Sequence, residues 1–133
     1  MSKFFVITGL LLAATIASAA EKYRVNYLEC ELSNGVTLET QKRSAQGLVV
    51  ESKLGTYTKP FTVTVGVVGY ESPTYLHLND ENGEALYMLA LQLAPTKSKL
   101  QTVEGSLLQV NALLPSWPVW LATADCKVQV VEN

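Results

Sequence analysis

Val119-Trp120-Leu121-Ala122-Thr123-Ala124-Asp125-Cys126-Lys127-Val128-Gln129-Val130-Val131 is the stretch whose pattern decides the fold class. Trp120, Ala122, Ala124, Cys126, Val128 and Val130 form one apolar stripe, while Thr123, Asp125, Lys127 and Gln129 form a polar one. A period of two is that of a strand with one face in a core. Phe61, Val63, Val65 and Val67 repeat the pattern against Thr62, Thr64 and Gly66. At the other end of the chain the apolar set changes phase, from Tyr23, Val25 and Tyr27 to Leu28, Cys30 and Leu32, as a bulge or a bend between sheets produces. Short segments rich in Val, Thr, Tyr and Leu, bounded by Gly, Pro or Asn, extend this to eight predicted strands: 23–32, 36–42, 47–53, 60–68, 74–79, 84–93, 103–113 and 119–131. The expected fold is an antiparallel β-sandwich of seven or eight strands, with a closed eight-stranded barrel as the alternative.

Two Asn-Gly turns set the register. At Ser33-Asn34-Gly35 a two-residue turn would place Cys30 opposite Glu39 and mix core with solvent. A three-residue loop with Gly35 at positive φ pairs Leu32 with Val36 and Cys30 with Leu38 instead. The same loop at Glu81-Asn82-Gly83 pairs Leu78 with Leu86 and Leu76 with Met88, and leaves His77 opposite Tyr87 on the outer face. Glu84 to Leu93 is also made of good helix formers and stops before Pro95, so a buried helix is the competing reading of that segment.

Residues 1–20 read as an export signal, with Lys3 in a basic head, an apolar run from Phe4 to Leu12, and small residues Ala17, Ser18, Ala19 and Ala20 before the cut. Residues 21–133 are then a single exported domain, periplasmic or extracellular. No later segment is long enough to span a membrane as a helix. The signal carries Lys3 and no acid, so its removal makes a chain of ten Lys and Arg against twelve Asp and Glu more acidic still, which argues against nucleic acid. Cys30 and Cys126 are the only cysteines, and in an exported chain they are expected to pair. Both lie on inward stripes, which suits a disulfide, the alternative being two buried thiols.

Catalytic constellations are sparse. A Ser-His-Asp set would have to use the single histidine, His77, and no serine stands in a Gly-x-Ser-x-Gly elbow. One His and two paired Cys cannot make a zinc site, and no cofactor motif is present. Asp80-Glu81-Asn82-Gly83-Glu84 has its glycine at the wrong place for an EF-hand and reads as a hairpin turn. Three binding candidates remain. Glu29 falls opposite Glu39 with Glu31 along the same outer face, which suits a cation or a basic partner, or three side chains splayed into water. Tyr75, His77 and Tyr87 should cluster on the outer face of the central hairpin, where rings suit sugar stacking or protein contact unless another part of the domain covers them. Trp117, between Pro115 and Pro118, is either an exposed anchor or a lid on the core.

The resulting expectation is a non-enzymatic binding module with a protein or glycan partner. Tyr27-x-x-Cys30 followed by Asn34-Gly35 is similar to the opening of small periplasmic lysozyme inhibitors, over fewer than ten positions and without that family's later Ser-Gly-x-x-Tyr segment. That resemblance implies the alternative, an inhibitor of a secreted or periplasmic enzyme such as a lysozyme. An enzyme acting through Glu29, Glu31 and Glu39 is a third class, and it would need a defined separation between carboxylates.

Overall fold

A computed structural model describes residues 22–44, 47–54, 59–69, 73–93, 99–110 and 118–132. The expected export signal, residues 1–20, and Trp117 lie outside these residues. Eight strands follow one another: β1 (Tyr23–Leu32), β2 (Thr37–Ser44), β3 (Gly47–Glu51), β4 (Phe61–Val67), β5 (Thr74–Asn79), β6 (Ala85–Leu91), β7 (Gln101–Gln109) and β8 (Val119–Glu132). Each pairs antiparallel with the next, and β8 returns to β1, closing a barrel. The sandwich expectation gives way to its alternative. Closure rests on the long β8, which pairs through Val119–Val128 with β7 and through Ala124–Glu132 with β1. This staggering of the two ladders along one strand is what a tilted, closed sheet requires.

Single extra residues bend the wall: Asn26 in β1, Gln41 in β2, Gly66 in β4, Leu86 in β6 and Leu121 in β8 each stand where a ladder shifts by one. A bulge sharpens local twist and curvature, which a sheet needs in order to meet itself. The bulge at Asn26 is the one expected from the phase change in β1. Two others reverse expected facings. Beyond Leu121, Trp120 turns outward and is 55% exposed rather than continuing the core stripe, and beyond Gly66, Val67 is half exposed.

The interior is filled with apolar side chains, among them Leu28, Leu38, Val50, Phe61, Val63, Leu76, Leu78, Leu89, Leu91, Leu107, Val128 and Val130, all essentially buried. Phe61 and Tyr87 meet edge to face at 5.7 Å between centroids. Cys30 and Cys126 are direct cross-strand partners, with Cα atoms 4.1 Å apart, and form a disulfide that bolts β1 to β8. Gly105 marks a close approach between β7 and β6, because a Cβ there would stand 2.0 Å from the Ala90 carbonyl oxygen.

Both Asn-Gly loops take the expected three-residue form, with Gly35 at φ +86° and Gly83 at φ +80°. In the first, the Gly35 amide donates to the Leu32 carbonyl, the Leu32 amide to the Val36 carbonyl, and Asn34 Oδ1 accepts from the Val36 amide. Cys30 then faces Leu38 and Glu29 faces Glu39. In the second, Asp80 Oδ1 accepts from the amides of Asn82 and Glu84. Ala85–Leu91 is a strand and not a helix. The bulge at Leu86, however, pairs Leu78 with Tyr87, Leu76 with Leu89 and His77 with Met88, one residue away from the expected register.

Candidate functional site

The outer wall carries the polar chemistry, and its first hairpin carries most of it. Leu28, Cys30 and Leu32 point into the core, so Glu29 and Glu31 must point out. The Gly35 turn sets Glu39 opposite Glu29, and the β2–β3 ladder sets Glu51 opposite Glu39. Three carboxylate residues therefore stand in line across three adjacent strands, spaced by roughly 4.8 Å per strand. On the far side of Glu29 the line continues to Lys127 and Thr102. The neighbouring row runs Glu104, Asp125, Glu31 and Thr37, so two further pairs of acids face each other directly. All six acids are exposed. Like charges placed opposite one another are unfavourable, and this wall repeats the arrangement four times.

The Tyr27 hydroxyl donates to Glu29 Oε2 at 2.5 Å. That hydrogen bond, with desolvation and the negative charges of Glu29 and Glu39, pushes the phenol above its ordinary value of 10.0. Among the described residues, no three His, Cys, Asp or Glu side chains converge as a metal site would require. The acids are arrayed along a wall rather than gathered around a point.

Glu39 and Glu51 are the last pair of the β2–β3 ladder. Beyond them the two chains part, leaving a cleft of about 490 Å³ lined by Gly35, Val36, Thr37, Glu39, Glu51, Ser52 and Lys53. Ser52 continues the inward alternation of Leu48 and Val50 and is only 8% exposed. Its Oγ has no hydrogen-bond partner. The other two buried polar side chains among the described residues are satisfied. Asn79 Nδ2 donates to the Thr62 carbonyl and Thr64 Oγ1, and Thr74 Oγ1 accepts from the Gly69 amide. A buried hydroxyl left without a partner costs about 1–3 kcal/mol, so Ser52 stands out.

The opposite wall is largely uncharged. Thr64, His77, Met88, Leu108 and Trp120 form one outward row across β4 to β8. Tyr75 and His77 face outward, half-buried, as expected. Tyr87 does not join them. The bulge at Leu86 turns it into the core, where it is 7% exposed and packs on Phe61, so the expected cluster of Tyr75, His77 and Tyr87 is corrected to Tyr75 and His77 beside Met88 and Ala90. The His77 ring occupies the space that a side chain at Gly66 would fill, with Nε2 2.4 Å from the position of a Cβ there. This burial pulls the imidazole below its ordinary value of 6.5.

Of the carboxylates expected to share a face, Glu29, Glu31 and Glu39 do so. Glu51, Glu104, Asp125 and Ser52 were not anticipated. Glu104 and Asp125 lie on outward positions of alternating strands, so the alternation alone could have marked them. Glu51 needed the β2–β3 pairing, and Ser52 resembles any loop serine until its burial is seen. No helix among the described residues is long and apolar enough to cross a membrane. Comparison with known protein-family models, with curated proteins and with solved structures finds no match to this chain.

Proposed function

We propose that the protein is an exported, non-enzymatic binding module that meets a basic protein through the acidic wall of β7, β8, β1, β2 and β3. The observation that carries this reading is the pair of acidic rows, Glu29–Glu39–Glu51 and Glu104–Asp125–Glu31, on directly opposed positions. The arrangement raises the energy of the free surface, and a partner's cations relieve it, steering encounter and fixing orientation. A filled interior leaves the outer wall as the recognition surface. The crosslink between Cys30 and Cys126 supports export into an oxidising compartment.

Capture from the native envelope on the wild type and on a Glu29→Gln, Glu39→Gln, Glu51→Gln variant, side by side, tests the proposal. Basic partners that the wild type retains, that salt releases and that the variant fails to hold are expected. Equal capture by both proteins, or capture indifferent to salt, overturns it.

A second reading is favoured by one observation. The segment similar to lysozyme inhibitors, Tyr27 to Gly35, lies in this acidic wall, with Tyr27 bonded to Glu29. An inhibitor of a basic secreted enzyme such as a lysozyme would use the same surface. Lysis assays with the purified protein in excess over a lysozyme separate the two: inhibition identifies the enzyme as the partner, and undiminished lysis removes this reading.

A further inference from the structure

We infer that the cleft beside the β5–β6 turn is a saccharide site, in which a neutral oligosaccharide seats one ring and lays the others along the uncharged outer row toward Trp120. The site stands on the wall away from the acidic rows and is independent of the basic-partner reading. The cleft holds about 400 Å³, lined by Thr62, Thr64, Asn79, Asp80, Glu81 and Gly83, within the size range of small-molecule sites. Thr62 and Thr64 alternate with the buried Phe61, Val63 and Val65, so both point outward, and Asn79 stands opposite Thr62 on that same face. Asn79 Nδ2 donates to the Thr62 carbonyl at 3.1 Å and to Thr64 Oγ1 at 2.9 Å, which fixes the amide against the outer wall although the residue is only 7% exposed. Both amide hydrogens are thereby used, and Asn79 keeps Oδ1, an acceptor, for a ligand. Ser52 Oγ is the one buried side-chain polar atom without a partner among the described residues, so Asn79 Oδ1, which accepts no bond there, is reached by solvent from the cleft it lines. Thr64 Oγ1 takes the Asn79 hydrogen and presents its own as a donor, with Thr62 beside it and both methyl groups turned toward Gly47 on β3.

This set selects a neutral polyol. An anion would meet Asp80 and Glu81. A cation finds Glu81 already paired with Lys59 and one Asp80 oxygen held by two turn amides, and no three acidic, His or Cys side chains converge among the described residues. A peptide backbone finds no open strand edge to pair with, because the barrel is closed. A sugar hydroxyl donates and accepts at once, so neighbouring hydroxyls can answer a threonine donor and an amide acceptor side by side. The C–H faces of its rings need apolar and aromatic side chains. From Thr64 the outward row continues through His77, Met88 and Leu108 to Trp120, holds no Asp, Glu, Lys or Arg, and crosses four strand spacings, about 19 Å. Trp120, 55% exposed, is the aromatic platform at its far end.

The test is an amide-shift titration of the purified, oxidised protein with glucose, cellotetraose and chitotetraose, and separately with calcium chloride and trialanine amide. Saturating shifts at Thr62, Thr64 and Asn79 are expected with at least one tetrasaccharide, together with a shift of the Trp120 indole. Thr64→Val should weaken that binding about tenfold and Thr64→Ser should retain it. Trp120→Ala, on an exposed position that the fold tolerates, should weaken the tetrasaccharide about fivefold and leave glucose unchanged. The Glu29→Gln, Glu39→Gln, Glu51→Gln variant should bind the tetrasaccharide as the wild type does. No saturable shift with any saccharide overturns the inference, as does a saccharide response that Thr64→Val and Trp120→Ala leave intact or that the triple variant loses. Shifts at Asp80 and Glu81 with calcium alone replace it with a cation site, and shifts at Thr62 to Asn79 with trialanine amide alone replace it with a peptide site.

Discussion

The two Asn-Gly hairpins begin alike and end differently. Each closes with three residues and a glycine at positive φ, Gly35 in one and Gly83 in the other. In the first, the register set at the turn carries to Cys30 opposite Leu38 and Glu29 opposite Glu39. In the second it survives only to the pair next to the turn, because Leu86 bulges and everything beyond it shifts by one. The reason lies in what each register would bury. The turn's own register would place Leu86, Met88 and Ala90 inside, while the shifted one places Tyr87, Leu89 and Leu91 there. A one-residue shift exchanges the faces of a whole strand, so the larger apolar set wins and the bulge absorbs the conflict. In β1 and β2 the two demands agree, and no such shift falls between the turn and the acidic pair. A turn governs the pairs beside it, and the core governs the rest.

The contrast can be broken at several points. The largest expected effect is at the bolt that ties the first hairpin's β1 to β8: Cys30→Ala with Cys126→Ala, which opens a crosslink between residues 96 apart, should lower stability by about 4 kcal/mol in urea denaturation. Intact mass of the wild type recovered from the periplasm should be two hydrogens below that of the reduced form, and free thiols would remove the bolt from the comparison. Next is the facing of β6. Tyr87→Ala should cost about 3 kcal/mol and Met88→Ala less than about 1 kcal/mol, because the first empties the core and the second trims an outer wall. The reverse ranking would restore the unshifted register.

The two turns offer a control. A Cβ at Gly35 or Gly83 meets nothing within 4 Å, so Gly35→Ala and Gly83→Ala should cost only the positive φ, about 1 kcal/mol each and equal within error in thermal melts. Unequal costs would show that the loops are not equivalent. His77 adds a smaller, pH-dependent difference. Its imidazole is depressed below 6.5 by burial, so on acidification the unfolded chain takes the proton first. Stability should be level above about pH 6.5 for this group and fall as pH drops through the window down to its folded value, and His77→Gln should flatten that part of the profile. A profile unchanged by the substitution would place the ring in water.

The smallest effect belongs to the acidic pair. Glu39→Gln should leave the melting temperature unchanged or correspond to a gain of at most about 0.5 kcal/mol, since it relieves facing carboxylates on an exposed wall. Melting in millimolar calcium and in chelator should coincide. A calcium-dependent rise that vanishes in Glu39→Gln would turn the row into a cation site.

Alternation along β8, β4 and β1 was enough to read eight antiparallel strands, the inward positions of Cys30 and Cys126, and the outward face shared by Glu29, Glu31 and Glu39. These properties are local: each follows from a period of two or from one turn glycine, and a strand carries them into whatever sheet it joins. Barrel closure was not local. A sandwich and a barrel demand the same alternation, and the choice between them depends on β8 pairing on both of its edges at staggered registers, helped by bulges at Leu86 and Leu121 that no propensity marks. The observed pairings likewise turned Tyr87 inward and Trp120 outward, set Glu51 beside Glu39, and left Ser52 buried without a partner. Each of these is fixed by where a ladder shifts and by what the closed core must hold, so only the tertiary structure could decide it.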